Sequence, residues 1–161
     1  MLIAIFGLFA VSCDNRDEVI QNPDSDTYSV VIDIKNENFE FKNNQYVINR
    51  TFANQLYDSD VVLIYRQNGT ISGNPVWQLI PRTLFLTQGE LDYDFDFTKK
   101  DIQIRAGGSY DISTTPQYLN NQTFRVVIVP ASFKVKVDYN DYNSVIKTFG
   151  IDDTHPSTFK N

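Results

Sequence analysis

Three aspartates at alternate positions, Asp92, Asp94 and Asp96, are the sharpest chemical feature of the chain. They lie in Glu90-Leu91-Asp92-Tyr93-Asp94-Phe95-Asp96-Phe97. A strand of period two puts the carboxylates on one face and Tyr93, Phe95 and Phe97 on the other. Like charges in a row repel, and calcium, which takes hard oxygen ligands, would relieve that repulsion. Alternate strand side chains stand about 6.5–7 Å apart, so neighbouring loops would have to complete an ion site. The simpler expectation is a solvated edge whose charges block sheet-to-sheet aggregation.

Four aromatic residues are candidates for stacking on a sugar ring: Trp77, Tyr65, Tyr93 and Tyr110. Against this, a single Trp in a small β domain usually belongs to the core. A second acidic stretch, Asp138-Tyr139-Asn140-Asp141-Tyr142-Asn143, has some of the spacing of an EF-hand loop but lacks its glycine and its final glutamate. Helix capping explains it better. Asn49-Arg50-Thr51, Asn68-Gly69-Thr70 and Asn121-Gln122-Thr123 match a glycosylation sequon, a coincidence expected where turns are rich in Asn and Thr.

Catalytic sets are missing from the residues. Cys13 is the one cysteine and His155 the one histidine, so a disulfide, a CxxC pair, a thiolate zinc site and a flavin disulfide oxidoreductase are all excluded. His155 falls in Asp152-Asp153-Thr154-His155-Pro156, near the end, where a mobile tail is expected. No GxSxG elbow, GxGxxG turn, P-loop or HExxH occurs. A glycosidase needs two carboxylates at a defined separation, and nothing singles out such a pair. No catalytic residue, cofactor or metal is assigned, and a non-enzymatic protein is expected.

The net charge of -6 repels nucleic-acid phosphates and anionic lipid surfaces alike. Nucleic acid is therefore excluded as a partner, and membrane association would need a covalent anchor or a buried segment. Leu2 to Val11 form an apolar run too short to span a bilayer but suited to a signal peptide. Directly after it, Ala10-Val11-Ser12-Cys13 resembles the lipobox cut by bacterial lipoprotein signal peptidase, with Ala10 in place of the usual leucine. This resemblance implies a diacylglyceryl thioether on Cys13. No Lys or Arg precedes the run, so a translation start upstream is expected. The alternative is a buried amino-terminal segment of a cytosolic protein.

Polar residues follow, Asp14-Asn15-Arg16-Asp17-Glu18 and then Gln21-Asn22-Pro23-Asp24-Ser25-Asp26, without an apolar face. They read as a tether. Their acidic start resembles the signal that sends lipoproteins of the Bacteroidota to the outer leaflet of the outer membrane. A surface-exposed position is expected from that, with a periplasm-facing one as the alternative. The division is then residues 1–12 signal peptide, 13–26 lipidated cysteine and tether, 27–151 domain, and 152–161 tail.

From Thr27 onward, short runs rich in β-branched and aromatic residues alternate with Asn, Gly, Asp and Pro. Val30, Ile32 and Ile34 share a face opposite Asp33 and Lys35. Phe39 and Phe41, then Tyr46 and Ile48, flank a predicted hairpin turn at Asn43-Asn44. Val61 to Tyr65 and Phe124 to Val129 are apolar on both faces and are predicted to be central strands. Trp77 and Leu79 mark a strand ended by Pro81, and Ile102 and Ile104 one stopped at Gly107-Gly108. Phe133, Val135 and Val137 alternate with Lys134, Lys136 and Asp138 as a further strand.

About eight such strands predict an all-β fold, an antiparallel β-sandwich of immunoglobulin-like or related topology. One short carboxy-terminal helix is predicted from Tyr139, Tyr142, Val145 or Ile146, and Phe149, capped by Asp138 or Asn140 and stopped at Gly150. Its aromatic stripe is expected to dock on the sandwich.

Asp58-Ser59-Asp60-Val61-Val62-Leu63-Ile64-Tyr65-Arg66, Val76-Trp77-Gln78-Leu79-Ile80-Pro81, Asp92-Tyr93-Asp94-Phe95-Asp96-Phe97-Thr98 and Phe124-Arg125-Val126-Val127-Ile128-Val129-Pro130-Ala131 together resemble small flavobacterial lipoproteins of unassigned function. The resemblance spans nearly the whole chain after Cys13. It implies a shared fold and address and supplies no catalytic residue. The expectation is a lipid-anchored envelope protein whose domain contacts a protein partner, with a glycan- or calcium-binding module as the competing class.

Overall fold

The structure, a computed structural model, describes residues 29–130 and 136–159. Its strands are β1 (Val30–Glu37), β2 (Glu40–Lys42), β3 (Gln45–Thr51), β4 (Asp60–Ile71), β5 (Asn74–Ile80), β6 (Arg82–Leu86), β7 (Gly89–Phe97), β8 (Asp101–Gly108), β9 (Gln122–Pro130) and β10 (Ser157–Thr158). A short helix, α1 (Tyr142–Thr148), precedes β10. Two five-stranded sheets form, in the orders β10-β1-β9-β4-β5 and β2-β3-β8-β7-β6. Among the described residues every pairing is antiparallel except that of β10 with β1. The fold is the expected all-β sandwich with one short helix.

Alternation explains why these strands pack as they do. Ile34, Ile64, Ile80, Phe124 and Val126 of the first sheet meet Ile48, Leu91, Tyr93, Ile102 and Ile104 of the second in one core. Residues of opposite parity in the first sheet, Val31, Leu63, Tyr65, Val127 and Val129, form a second core with Tyr142 and Val145 of α1. The order of layers is thus sheet, sheet, helix. β4 and β9 are interior strands with both faces covered, as their unbroken apolar runs require.

Local chemistry sets the turns and caps. Asn43 and Asn44 both take positive φ, 50° and 63°, the conformation a two-residue hairpin loop needs and Asn tolerates. The cap of α1 is Asp141, not the expected Asp138 or Asn140. Its carboxylate accepts from the backbone N–H of Asn143 and Ser144 at 3.1 and 3.3 Å. Asp138 instead accepts from the backbone N–H of Asn140, one turn too early to cap. Gly150, at φ +61°, ends the helix. There the Ile151 N–H donates to the Ile146 carbonyl at 2.9 Å and the Gly150 N–H to that of Lys147 at 3.3 Å.

Three expectations need correction. Asp33 does not face water beside Lys35 but is 2% exposed, because α1 and the chain after it cover that side of β1. β8 ends at Gly107 and Gly108, as expected. They continue the ladder opposite Asp92 and Leu91, and a Cβ on Gly108 would stand 2.6 Å from the Glu90 carbonyl oxygen. β7 is no edge strand, since β8 and β6 flank it. Finally, residues 152–159 are a docked segment and not a mobile tail: Ser157 and Thr158 pair with Ile32 and Asp33, and Phe159 packs 5.9 Å from Phe52.

Cys13, the leader 1–12 and the tether 13–26 lie outside the described residues. So does most of the strand expected around Phe133 and Val135, while Lys136 and Val137 are described and belong to no strand. Among the described residues, no helix is long and apolar enough to cross a membrane.

Candidate functional site

The three aspartates stand where alternation puts them, and a side chain neutralises two of them, Asp94 and Asp96. Asp94 of β7 pairs with Arg105 of β8 in the ladder. The Arg105 Nη2 donates to Asp94 at 3.1 Å and Nη1 donates to Asp96. The hydrogen bond from Arg105 holds the Asp96 carboxyl below the usual range, and the guanidinium in turn sits above its own. β6 pairs with β7 only from Gly89 to Tyr93, so Asp94 and Asp96 lie beyond that pairing. Among the described residues, no three His, Cys, Asp or Glu side chains converge to hold a metal ion.

Asp92 behaves differently. It sits opposite Gly107, which has no side chain, and the position a Cβ would take there is open space. Asp92 is half-buried, and its side chain makes no hydrogen bond or ion pair with any described residue. A cleft of about 560 Å³ begins at this hollow, and Asp92, Asp94, Arg105, Tyr46, Tyr110 and Asp111 line it. Phe41 forms its rim, 60% exposed, with its ring centroid 4.9 Å from that of Tyr46 and the two rings inclined at 51°. The Tyr110 hydroxyl is 2.7 Å from that of Thr115, which fixes the ring. Asp111 accepts from the Ser113 hydroxyl at 2.7 Å and backbone N–H at 3.1 Å, and these bonds hold its carboxyl low and ionised.

The cleft gathers Asp92, Asp94 and Tyr110 of the predicted residues, and leaves the other four elsewhere. Asp96 lines a smaller depression, about 420 Å³, with Arg50 and Phe97. Tyr65 and Tyr93 are corrected outright: at 0% and 1% exposure they are core residues and cannot stack on a ligand. Their hydroxyls donate to the Tyr139 and Tyr118 carbonyls at 2.8 and 2.7 Å, and burial pushes the Tyr93 phenol up to about 12.

Trp77 is half-buried, and its ring is already occupied. The Arg125 guanidinium lies 4.6 Å from its centroid and the Tyr142 ring 5.8 Å away. Arg125 grips Asp33 with two hydrogen bonds, 2.7 Å from Nε and 2.9 Å from Nη2. Its Nη1 donates to the Tyr142 hydroxyl at 2.7 Å and to Asp153 at 3.2 Å. Burial opposes the charge on Arg125, but the bonds to Asp33 and Tyr142 outweigh it and keep the guanidinium above its ordinary range. Trp77 is therefore one wall of a closed network.

A larger cleft, about 740 Å³, opens at the other end of the sandwich among Ile32, Phe52, Leu56, Ile128 and Phe159. None of the predicted site residues lines it. Sequence reasoning missed Phe41, Tyr46, Arg105, Gly107 and Asp111 as site residues. The usable signal was Gly107-Gly108, a side-chain gap in a strand that otherwise alternates. No protein-family model matches the chain, and neither a curated protein nor a solved structure matches it.

Proposed function

We propose that the chain is a lipid-anchored protein of the bacterial cell envelope, acylated on Cys13, whose sandwich is a non-enzymatic module that contacts a protein partner. One juxtaposition supports the reading. The apolar run ending in Ala10-Val11-Ser12-Cys13 and the polar residues 14–26 directly precede a domain whose first strand begins at Val30. More than one acyl chain on the cysteine would give stable anchoring, and the acidic tether would set the domain away from the bilayer. The outer leaflet of the outer membrane is the location we favour. Growing cells with labelled palmitate and comparing wild type with Cys13→Ser tests the anchor. Label should be lost in the variant, and label retained there refutes it.

A second reading is a module for a glycan or for calcium, and the exposed Phe41 and the Tyr110 of the cleft at Asp92 favour its glycan form. A ligand that binds the folded form raises the melting temperature. Calcium and a glycan panel therefore separate the readings, and this second one fails if none of them shifts the melt.

A further inference from the structure

We infer that the cleft beside Asp92 is the partner-contact surface of the domain, and that the partner places a basic side chain, Lys or Arg, in it. This rests on the partner-binding reading above and names the chemistry of that partner. Charge selects the occupant. Asp92, Asp94 and Asp111 line the cleft against the single cation Arg105, whose fork is already taken by Asp94 and Asp96. Among the described residues the Asp92 side chain has no hydrogen-bond or ion-pair partner, and it stands beside the open space over Gly107. An anionic ligand would meet this excess and the chain's net charge of -6, which instead draw a cation in.

The rings make the same choice. Phe41 keeps an apolar ring in water at the rim, tilted against Tyr46, and the face of an aromatic ring attracts a cation. A Lys or Arg side chain, with an apolar stem and a charged head, has the matching form for a cleft that both Phe41 and Asp92 line. A neutral sugar would gain nothing from the unbalanced charge, and a metal ion would lack a third ligand.

The test is a titration of the isotope-labelled full chain, followed by backbone amide shifts, with tetra-arginine amide, tetra-glutamate and cellotetraose. Tetra-arginine should move Tyr46, Gly107 and Gly108, and added salt should weaken the response. Phe41→Leu and Asp92→Asn should each weaken binding by about two- to fivefold. Asp58→Asn removes the same charge at a distant exposed ion pair with Lys99 and should leave affinity unchanged.

Equal loss in Asp58→Asn, an equal response to tetra-glutamate, movement of the same amides by cellotetraose, or no movement by tetra-arginine would each overturn the proposal. Such a result leaves the anchor and a partner bound elsewhere intact. Palmitate retained in Cys13→Ser would end the broader reading without altering this titration.

Discussion

Arg125 and Arg105 each hold two carboxylates, but one pair of contacts is sealed under α1 and the other stands in water. The Arg125 side chain is 9% exposed and that of Asp33 1%. The Arg105 side chain is 23% exposed, with Asp94 at 51% and Asp96 at 71%. Around Arg125, Tyr142, Asp153 and Trp77 complete a network that joins β1, β5 and β9 to α1 and the segment after it. Around Arg105 the contacts join only two adjacent strands that the backbone ladder already holds. The same chemistry is therefore architecture on the covered side and charge balance on the open side.

Removing Arg125 is the severest way to break this contrast. Arg125→Met leaves the buried Asp33 carboxylate only the exposed Lys35 ammonium, 3.5 Å away, and losing a buried ion-pair partner costs up to about 3–5 kcal/mol. Urea unfolding should show it as a lower midpoint. The double variant Asp33→Leu with Arg125→Met should recover much of that cost, because no carboxylate is then buried without its cation, and Asp153, 30% exposed, keeps the Tyr142 hydroxyl. A loss in Arg125→Met below about 1 kcal/mol, the range of surface pairs, would mean that burial does not distinguish the two sites.

The two sites were not equally legible in the sequence. Alternation identified β1, β7 and β8, because a half-buried strand writes its faces into every second residue, and unbroken apolar runs identified the central β4 and β9. Register is not written there, so the pairing of Asp94 with Arg105 could not be read, and Asp92 showed no sign of facing Gly107. Asp33 read as a solvent-side residue because the helix that covers it comes late in the chain. Its partner Arg125 is 92 residues away. The docked end was missed for a related reason: Asp153 and Ser157 are held by contacts with β1, β9 and α1, not by any pattern of their own.

A smaller effect sharpens the comparison by pH. Burial, and then the hydrogen bond to Asp153, push the Tyr142 phenol above its ordinary range, and burial does the same to Tyr65. A phenol with a raised folded pKa binds its proton more tightly when folded. Its stabilisation is complete below about pH 10 and is lost as pH climbs through the folded value. Melting temperature should therefore fall on the alkaline side, with tyrosinate absorbance from these residues appearing only as the chain unfolds. Tyr142→Phe loses the hydroxyl that joins Arg125 to Asp153 and should cost about 1–2 kcal/mol at neutral pH, with a shallower alkaline decline. Normal ionisation of every tyrosine in the folded chain would contradict this.

Arg105→Gln should have the least effect on stability, about a fifth or less of the Arg125→Met cost. Water solvates Asp94 and Asp96 once the guanidinium is gone, so neither carboxylate is stranded. What it does change is the acid limb. The folded Asp96 carboxyl is held below its unfolded value, so its contribution is present above the ordinary carboxylate range and fades as pH falls through the lowered value. Arg105→Gln should flatten that fade, and high salt should do the same in wild type, since exposed charges are screened. The substitution also frees Asp94 at the cleft, which should tighten tetra-arginine while stability barely moves. A protein that lost stability in step with Arg125→Met would show that water does not replace the fork, and the open and covered sites would then be one kind of ion pair.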